Sequence, residues 1–237
     1  MVAPRLTGRI AMVTGASRGI GAAVAKRFAM EGAHLILLAR TTGALEEIDD
    51  EIQKISSTPA TLVPMDLSEF DEIDRMGAIL NERFGQLDIL VGNAGILGTL
   101  SPMGHIDPKT WDQVMAVNLT ANWRLIRSMD PLLQKSDAGR AIFVTSSVGS
   151  IPRAYWSTYA VSKAALEMMV KVYAEENSKS RVCANLINPG ATRTRMRAEA
   201  MPGEDPLTLK TPGEITDTFV ELAEPTSQNN GITFDCG

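Results

Sequence analysis

Short apolar runs alternate with longer amphipathic segments along the whole chain. Seven runs of three to six residues are dominated by aliphatic side chains, and most have no polar interruption. Unbroken apolar runs of this length are typical of strands in a parallel sheet whose two faces are both covered. The pattern predicts strands at 10–13, 35–38, 61–63, 89–91, 141–144, 182–187 and 232–234.

Helical periodicity fills the segments between these strands. Ile20, Val24 and Phe28 recur every four residues after the first strand, and an apolar stripe predicts another helix over 111–129. Residues 68–71 resemble a capping box that would begin a further helix. Alternating elements of this length predict an α/β fold, a Rossmann-type doubly wound parallel sheet of about seven strands with helices on both faces.

The chain has no internal repeat or linker that would mark a second domain, so we expect a single domain over 1–237. One long irregular stretch, at 188–213, contains seven proline and glycine residues. A loop of this length in a compact domain is usually functional. We therefore expect a substrate lid at about 188–213.

Composition narrows the class of partners. A net charge of −5 gives no electrostatic attraction for a nucleic acid, and the longest apolar run, 33–39, is far too short to span a membrane. The first five residues contain no signal-peptide apolar region, which favours the cytoplasm. Cys183 and Cys236 have neither metal-ligand spacing nor a disulfide framework, and we predict no metal site.

The sequence Thr14-Gly15-Ala16-Ser17-Arg18-Gly19-Ile20-Gly21 lies where the first strand meets the first helix. Glycines at such a turn let the backbone approach a pyrophosphate beside the helix N-terminus. Glycine turns at strand–helix junctions also arise for structural reasons alone. The position at the first βα turn favours a dinucleotide site.

Charge indicates which dinucleotide. Folds that prefer NAD usually place an acidic residue at the end of the second strand, and this chain has Ala39 there, followed by Arg40. Arg18 lies inside the glycine turn, so two guanidinium groups would converge on a 2′-phosphate. The alternative is that both arginines are solvated surface charges. We predict NADP(H) in preference to NAD(H).

A second motif, Tyr159-Ala160-Val161-Ser162-Lys163, predicts a proton-transfer site. Tyr159 and Lys163 share one helical face, and a nearby ammonium would favour the phenolate and lower the pKa of Tyr159. Ser147, just past the fifth strand, would hold the substrate oxygen, with the adjacent Ser146 as the alternative. A Tyr-x-x-x-Lys match alone also occurs by chance on amphipathic helices.

These motifs, in this order, resemble those of the short-chain dehydrogenase/reductases over essentially the whole chain, and among them the bacterial YciK-type oxidoreductases. The matching features are TGASRGIG at 14–21, Asp66, Asn93-Ala94-Gly95, Asn118, Ser147, Tyr159, Lys163 and Pro189-Gly190. The resemblance implies that Asn118, Ser147, Tyr159 and Lys163 are catalytic, with the Asn118 carbonyl holding a water linked to Lys163. The predicted cofactor contacts are Gly15, Ser17, Arg18, Gly19, Ile20, Gly21, Arg40, Asp66, Leu67, Asn93, Ala94, Gly95, Tyr159, Lys163, Pro189, Gly190, Thr192 and Thr194.

The predicted function is hydride transfer between NADP(H) and a small-molecule carbonyl or alcohol, with Tyr159 as general acid/base. A regulatory or redox-sensing NADP(H)-binding protein and a structural assembly module are the alternatives. The helix that carries Tyr159 has a second apolar stripe, formed by Val161, Ala165, Met168, Met169 and Val172. Because a helix that is apolar on two sides is buried on both, we expect a homodimer or homotetramer.

Overall fold

The computed structural model describes residues 3–56 and 58–237. Met1 and Val2, which belong to the segment compared with a signal peptide, lie outside these residues. The described part contains a sheet of seven parallel strands, β1 (Ile10–Thr14), β2 (His34–Ala39), β3 (Thr61–Pro64), β4 (Ile89–Gly92), β5 (Arg140–Val144), β6 (Cys183–Asn188) and β7 (Thr233–Asp235). All seven predicted strands are confirmed, with ends that differ by one residue at most.

The helices of the described residues are α1 (Gly19–Met30), α2 (Thr42–Ser56), α3 (Phe70–Phe84), α4 (Pro108–Met115), α5 (Ala121–Leu133), α6 (Ser157–Glu176), α7 (Arg195–Ala200) and α8 (Thr216–Ala223). None of these helices has the length and apolar character that crossing a bilayer requires. The predicted helix at 111–129 lies within one continuous helical stretch, in which a π-helical turn at Ala116–Thr120 joins α4 to α5.

Successive strand residues point into two separate cores, which explains the unbroken apolar runs. Leu35 and Leu37 of β2 join the core under α1, α2 and α8, whereas Ile36 and Leu38 join the core under α3, α5 and α6. A strand buried on both faces needs no polar alternation. Helices on both faces of a parallel sheet form the predicted Rossmann-type α/β fold.

The order of the strands creates the crevice for a ligand. The sheet runs β3-β2-β1-β4-β5-β6-β7, so β1 pairs with β2 on one side and with β4 on the other. The chain reverses its direction of travel across the sheet between β1 and β4. In doubly wound sheets, ligands bind at this reversal, beyond the carboxyl ends of the strands.

Two local predictions are wrong. The capping box expected at 68–71 is absent, because the Ser68 hydroxyl donates to the Asp66 carboxylate at 2.8 Å and Glu69 occupies the N-cap of α3. The irregular stretch at 188–213 contains α7, which begins at the N-cap Thr194, whose hydroxyl accepts from the Arg197 amide at 3.2 Å. A capping box does occur at its end, where Thr211 and Glu214 bond each other.

Candidate active site

The glycine turn between β1 and α1 is closely packed against the end of β4. The side-chain amide of Asn93 donates to the backbone carbonyls of Thr14 and Gly15 at 2.9 and 3.3 Å. A Cβ on Gly21 would lie 2.3 Å from the Gly15 carbonyl oxygen, and Gly15 itself has a φ of 64°. The turn therefore requires glycine at both positions, and it presents bare backbone at the N-terminus of α1.

Asn93 packs against the glycine turn. The next residues, Ala94 and Gly95, lead from Asn93 towards the predicted catalytic groups. The Thr14 hydroxyl accepts hydrogen bonds from the backbone N–H groups of Asn93 and Ala94 at 3.0 and 3.1 Å, which fixes the end of β4 against β1. A Cβ on Gly95 would lie 3.3 Å from Asn118 Oδ1 and 3.6 Å from Lys163 Nζ. The predicted cofactor-binding and catalytic residues therefore meet at Gly95.

The predicted contacts to the adenosine end occupy the ends of β2 and β3. Arg40 Nη1 lies 3.8 Å from the Asp66 carboxylate, and both side chains are exposed. Burial raises the pKa of Asp66, but hydrogen bonds from Ser68 and the charge of Arg40 outweigh it, so the net pKa is lowered. The Leu67 side chain is buried in the core, which leaves its backbone for contact with a ligand.

Arg18 is exposed at the N-cap of α1, with Ser17 and Ile20 half-buried beside it. It lines a surface groove of about 1080 Å³ together with the lid residues Arg193, Thr194 and Arg195. Tyr159 does not line this groove.

The segment predicted as a lid, 188–213, meets the glycine turn through Thr194. A Cβ on Gly19 would lie 3.6 Å from the Thr194 methyl group. Thr192 is buried and its hydroxyl donates to the Pro189 carbonyl at 2.9 Å, and Gly190, at a φ of 66°, turns the chain between them. Of the predicted contacts that follow β6, Pro189, Gly190, Thr192 and Thr194, the structure therefore places Thr194 against the glycine turn.

Tyr159 and Lys163 lie on the buried face of α6, as the four-residue spacing predicts. Lys163 Nζ is 5.7 Å from the centroid of the Tyr159 ring and donates to the Val144 carbonyl at 2.7 Å. Burial lowers the pKa of Lys163 to about 8, although the charge of Glu167 raises it.

The expected lowering of the Tyr159 pKa is not found. Burial raises the pKa of Tyr159 to about 12, against a smaller lowering by a hydrogen bond with Ser146. The phenol has lost its hydration, and the Lys163 ammonium points at a backbone carbonyl instead of the phenol oxygen. In the chain alone, Tyr159 is therefore a protonated group at neutral pH, suited to donate a proton.

The structure brings Ser146, the alternative to Ser147, to the phenol. The Ser146 side chain is half-buried and lies close enough to the Tyr159 hydroxyl to lower its pKa, whereas Ser147 is exposed at the start of the 3-10 turn Ser147–Gly149. Ser146 has an extended backbone, with φ −159° and ψ 152°, before this turn begins. Successive side chains of extended backbone point to opposite sides, so the two serines face in different directions.

Asn118 lies in the π-helical turn and is completely buried. Its amide donates to the Ile96 carbonyl at 2.9 Å and to the Ser162 hydroxyl at 3.0 Å, and its Oδ1 accepts from the Ile96 amide at 2.8 Å. The backbone carbonyl of Asn118 accepts a hydrogen bond from the side-chain amide of Asn122 at 2.8 Å. Asn118 thus ties the loop after β4 to α6, beside Lys163.

An apolar cluster surrounds Tyr159. It contains Leu97, Val148, Tyr159 and Ala200, with Leu100, Trp156, Ala160, Met196 and Met201 packed against it. The Trp156 ring meets the Tyr159 ring edge-on, with 6.0 Å between centroids. Helix α7 thus contributes the apolar side chains of Met196 and Ala200 to the cluster that contains Tyr159. The charged neighbours Arg197 and Glu204 pair with each other at 2.5 Å.

The sequence did not predict roles for two further buried groups. Thr145 donates its hydroxyl to the Glu167 carboxylate at 2.8 Å, and both residues are buried next to the predicted catalytic groups. The available signal was a carboxylate on the apolar face of a helix, one turn after Lys163. Its partner lies 22 residues earlier, and periodicity gives no access to a contact of that range.

Known proteins share these features. A family model described as short chain dehydrogenase matches residues 9–205. The uncharacterized oxidoreductase YciK of Escherichia coli (strain K12) is 40% identical over 233 residues, covering 97% of this chain and 92% of that protein. A putative short chain dehydrogenase from Escherichia coli CFT073, complexed with NADPH, superposes with a TM-score of 0.95 at 40% identity and 98% coverage of both chains. One from Shigella flexneri 2a str. 301, complexed with NADP, gives a TM-score of 0.96 at 39% identity and 99% coverage of both chains.

Proposed function

The chain belongs to the short-chain dehydrogenase family, and on this premise we propose that it is a cytoplasmic, NADP(H)-dependent oxidoreductase acting on a carbonyl or alcohol. The observation that carries the proposal is the buried pair of Tyr159 and Lys163, with the half-buried Ser146 next to the phenol and Gly95 next to the ammonium. A phenol, a hydroxyl and an ammonium at the carboxyl ends of β1, β4 and β5 are suited to proton transfer at a ligand oxygen.

The residues at this crevice fit a dinucleotide. Gly15 and Gly21 leave no room for a side chain, Gly19 has a φ of 57°, and the turn begins α1 at its positive end. Its backbone would hold the pyrophosphate, with Asp66 and the backbone of Leu67 at the adenosine end and Thr194 at the nicotinamide end. When bound, the nicotinamide would supply or accept the hydride.

Side chains of the protein would orient and protonate the substrate oxygen. For carbonyl reduction, Ser146 would donate a hydrogen bond that orients the oxygen, and Tyr159 would give it a proton. A phenol is protonated at neutral pH even at its ordinary pKa, and burial, which raises the pKa of Tyr159 to about 12, strengthens this preference. Lys163 would bind the ribose hydroxyls, and the Asn118 carbonyl would hold the water that returns a proton to the site. Alignment and stabilisation of negative charge on the oxygen are then the main sources of rate.

The choice of NADP(H) rests on charge. Arg18 and Arg40 are both exposed, and the residue before Arg40 is Ala39 and not an acid. The NADPH and NADP complexes of the two similar proteins support the same choice. Arg18 and Arg40 would then bind the 2′-phosphate.

The substrate side of the site favours an uncharged compound. The side chains around Tyr159 are apolar, and α7 of the lid at 188–213 adds Met196 and Ala200. We propose that this lid covers an apolar ketone or aldehyde during the reaction. The exposed apolar side chains of Val161, Met168 and Val172 on the outer side of α6 support a homodimer or homotetramer.

The test is a pair of fluorescence titrations with NADPH and NADH, followed by a panel of aromatic and aliphatic ketones and aldehydes and their charged analogues. We expect tighter binding of NADPH than of NADH, and NADPH oxidation with uncharged apolar carbonyl compounds. Binding of NADPH without turnover on any of them would favour the regulatory binding protein. No binding of either dinucleotide would contradict the proposal and favour the assembly module.

A further inference from the structure

A carboxylate lies buried one helical turn beyond the proposed catalytic lysine. Glu167 follows Lys163 by four residues on α6, so both side chains point from the same face of the helix. The residue is only 8% exposed, and Lys163 is 3% exposed. Charged side chains are seldom buried to this extent unless they are paired.

The surroundings of Glu167 hold its carboxylate in place. Thr145 donates its hydroxyl to Oε1 at 2.8 Å. A Cβ on Gly149 would lie 2.8 Å from the same oxygen and 3.2 Å from the Lys163 carbonyl carbon. The turn after Ser146 therefore packs directly on α6, at the level of Lys163 and Glu167, and a side chain at Gly149 would displace the Glu167 carboxylate.

Glu167 is also linked to the strand end that serves the catalytic groups. Thr145 follows Val144, whose carbonyl accepts from Lys163 at 2.7 Å, and it precedes Ser146, which contacts Tyr159. The Thr145–Glu167 bond therefore connects both contacts to α6. A displacement of this strand end would move the acceptor of Lys163 and the hydroxyl of Ser146 together.

The electrostatic surroundings of Lys163 give Glu167 a second role. The groups that face Lys163 from the other elements are uncharged: the Val144 carbonyl at the end of β5, and Gly95 and Asn118 from the loop after β4 and the π-helical turn. On α6 itself, the titratable neighbours are Tyr159 and Glu167. A buried ammonium without a counter-charge tends to release its proton.

We infer that Glu167 is a positioning residue of the active site: its carboxylate keeps Lys163 charged and, through Thr145, holds the strand end that carries Ser146. This inference rests on the proposed function for the roles of Lys163 and Ser146. The contact with Thr145 and the charge acting on Lys163 are properties of the free protein, so they are testable without any substrate.

The direct test is an NMR titration of protein labelled with ¹³C at the lysine ε carbon, with the Lys163 signal identified by its loss in Lys163→Met. Burial and Glu167 together set the Lys163 pKa at about 8 in the wild type. Glu167→Gln keeps an oxygen that accepts from Thr145 but removes the charge. We expect the Lys163 pKa to fall by about one unit or more.

Thr145→Val is the matched control, because it removes the hydrogen bond and keeps the charge. We expect it to leave the Lys163 pKa within a few tenths of a unit of wild type. If Glu167→Gln does not fold, Glu167→Asp, which moves the charge away by one methylene, should give a smaller decrease. An unchanged Lys163 pKa in Glu167→Gln, or in Glu167→Asp where only that variant folds, would overturn the inference.

The second test measures the pH dependence of kcat. With an active carbonyl compound and saturating NADPH, Glu167→Gln should move the alkaline limb of the kcat profile to lower pH by about the same interval. Thr145→Val should lower kcat severalfold at every pH and leave the limb in place. A shift of the Lys163 pKa in protein that reduces no carbonyl compound would support the role of Glu167 and count against the proposed function alone.

Discussion

Replacement of Ser146 by alanine tests which of two adjacent hydroxyls holds the substrate oxygen. Ser146 is half-buried and lies close enough to the Tyr159 phenol to lower its pKa, whereas Ser147 is exposed. The two variants remove the same atom from neighbouring positions, so Ser147→Ala is a control for the effect of the substitution itself.

The expected loss in kcat follows from the role of the serine hydroxyl as a hydrogen-bond donor. Removal of one preorganised donor to a developing oxyanion costs about 10²- to 10³-fold in kcat, or about 2.7–4 kcal/mol. Because Ser146 is half-buried and not fully enclosed, we expect the lower end, about 10²-fold. An exposed hydroxyl contributes within about 0.5 kcal/mol, so Ser147→Ala should change kcat by no more than about twofold.

The assay is steady-state reduction of an active carbonyl compound at saturating NADPH, with the NADPH dissociation constant measured by fluorescence for each variant. Both variants should bind NADPH like wild type, because neither serine belongs to the glycine turn. A loss in Ser147→Ala that equals or exceeds the loss in Ser146→Ala would refute the assignment and restore Ser147.

Three further outcomes test other parts of the molecule. Gly21→Ala should abolish NADPH binding and lower the melting temperature, because its Cβ would lie 2.3 Å from the Gly15 carbonyl oxygen, whereas Gly43→Ala, with nothing within 4 Å, should bind normally and gain up to about 1 kcal/mol of helix stability. Lys163 carries its charge below its pKa of about 8 and loses it above, so carbonyl reduction should slow as the pH rises through that value; a rate that increases there would contradict the role of the ammonium. Sedimentation at micromolar concentration should show a dimer or tetramer of the wild type, and Met168→Glu, on the exposed face of α6, should give monomers. A monomeric wild type would contradict the proposed interface on α6.

Much of the fold was accessible from the sequence because both faces of the sheet are buried. Each strand sends successive residues into different cores, as Leu35 and Ile36 do, so the strands appear as continuous apolar runs. The glycine turn was accessible for a similar reason, since Gly15 and Gly21 have no space for a side chain. Family membership, predicted from the order of the motifs, is confirmed by the family model and by a relative at 40% identity.

The features that sequence alone did not give depend on single-residue offsets and distant contacts. The choice between Ser146 and Ser147 depends on where β5 ends and the 3-10 turn begins, a boundary that propensity does not define within one residue. The π-helical turn at Ala116–Thr120 inserts a residue into the 3.6-residue repeat. Burial of Tyr159 raises its pKa even though Lys163 is near, and spacing along a helix carries no information about the lost hydration.

The central claim is that Tyr159 donates the proton in an NADPH-dependent carbonyl reduction. The most direct measurement compares kcat of wild type and Tyr159→Phe on the same carbonyl compound, with NADPH affinity measured in parallel. We predict a loss of at least about 100-fold in kcat with NADPH binding unchanged, because the phenylalanine ring fills the same space and lacks the acidic hydroxyl. A kcat close to that of wild type in Tyr159→Phe would contradict the account.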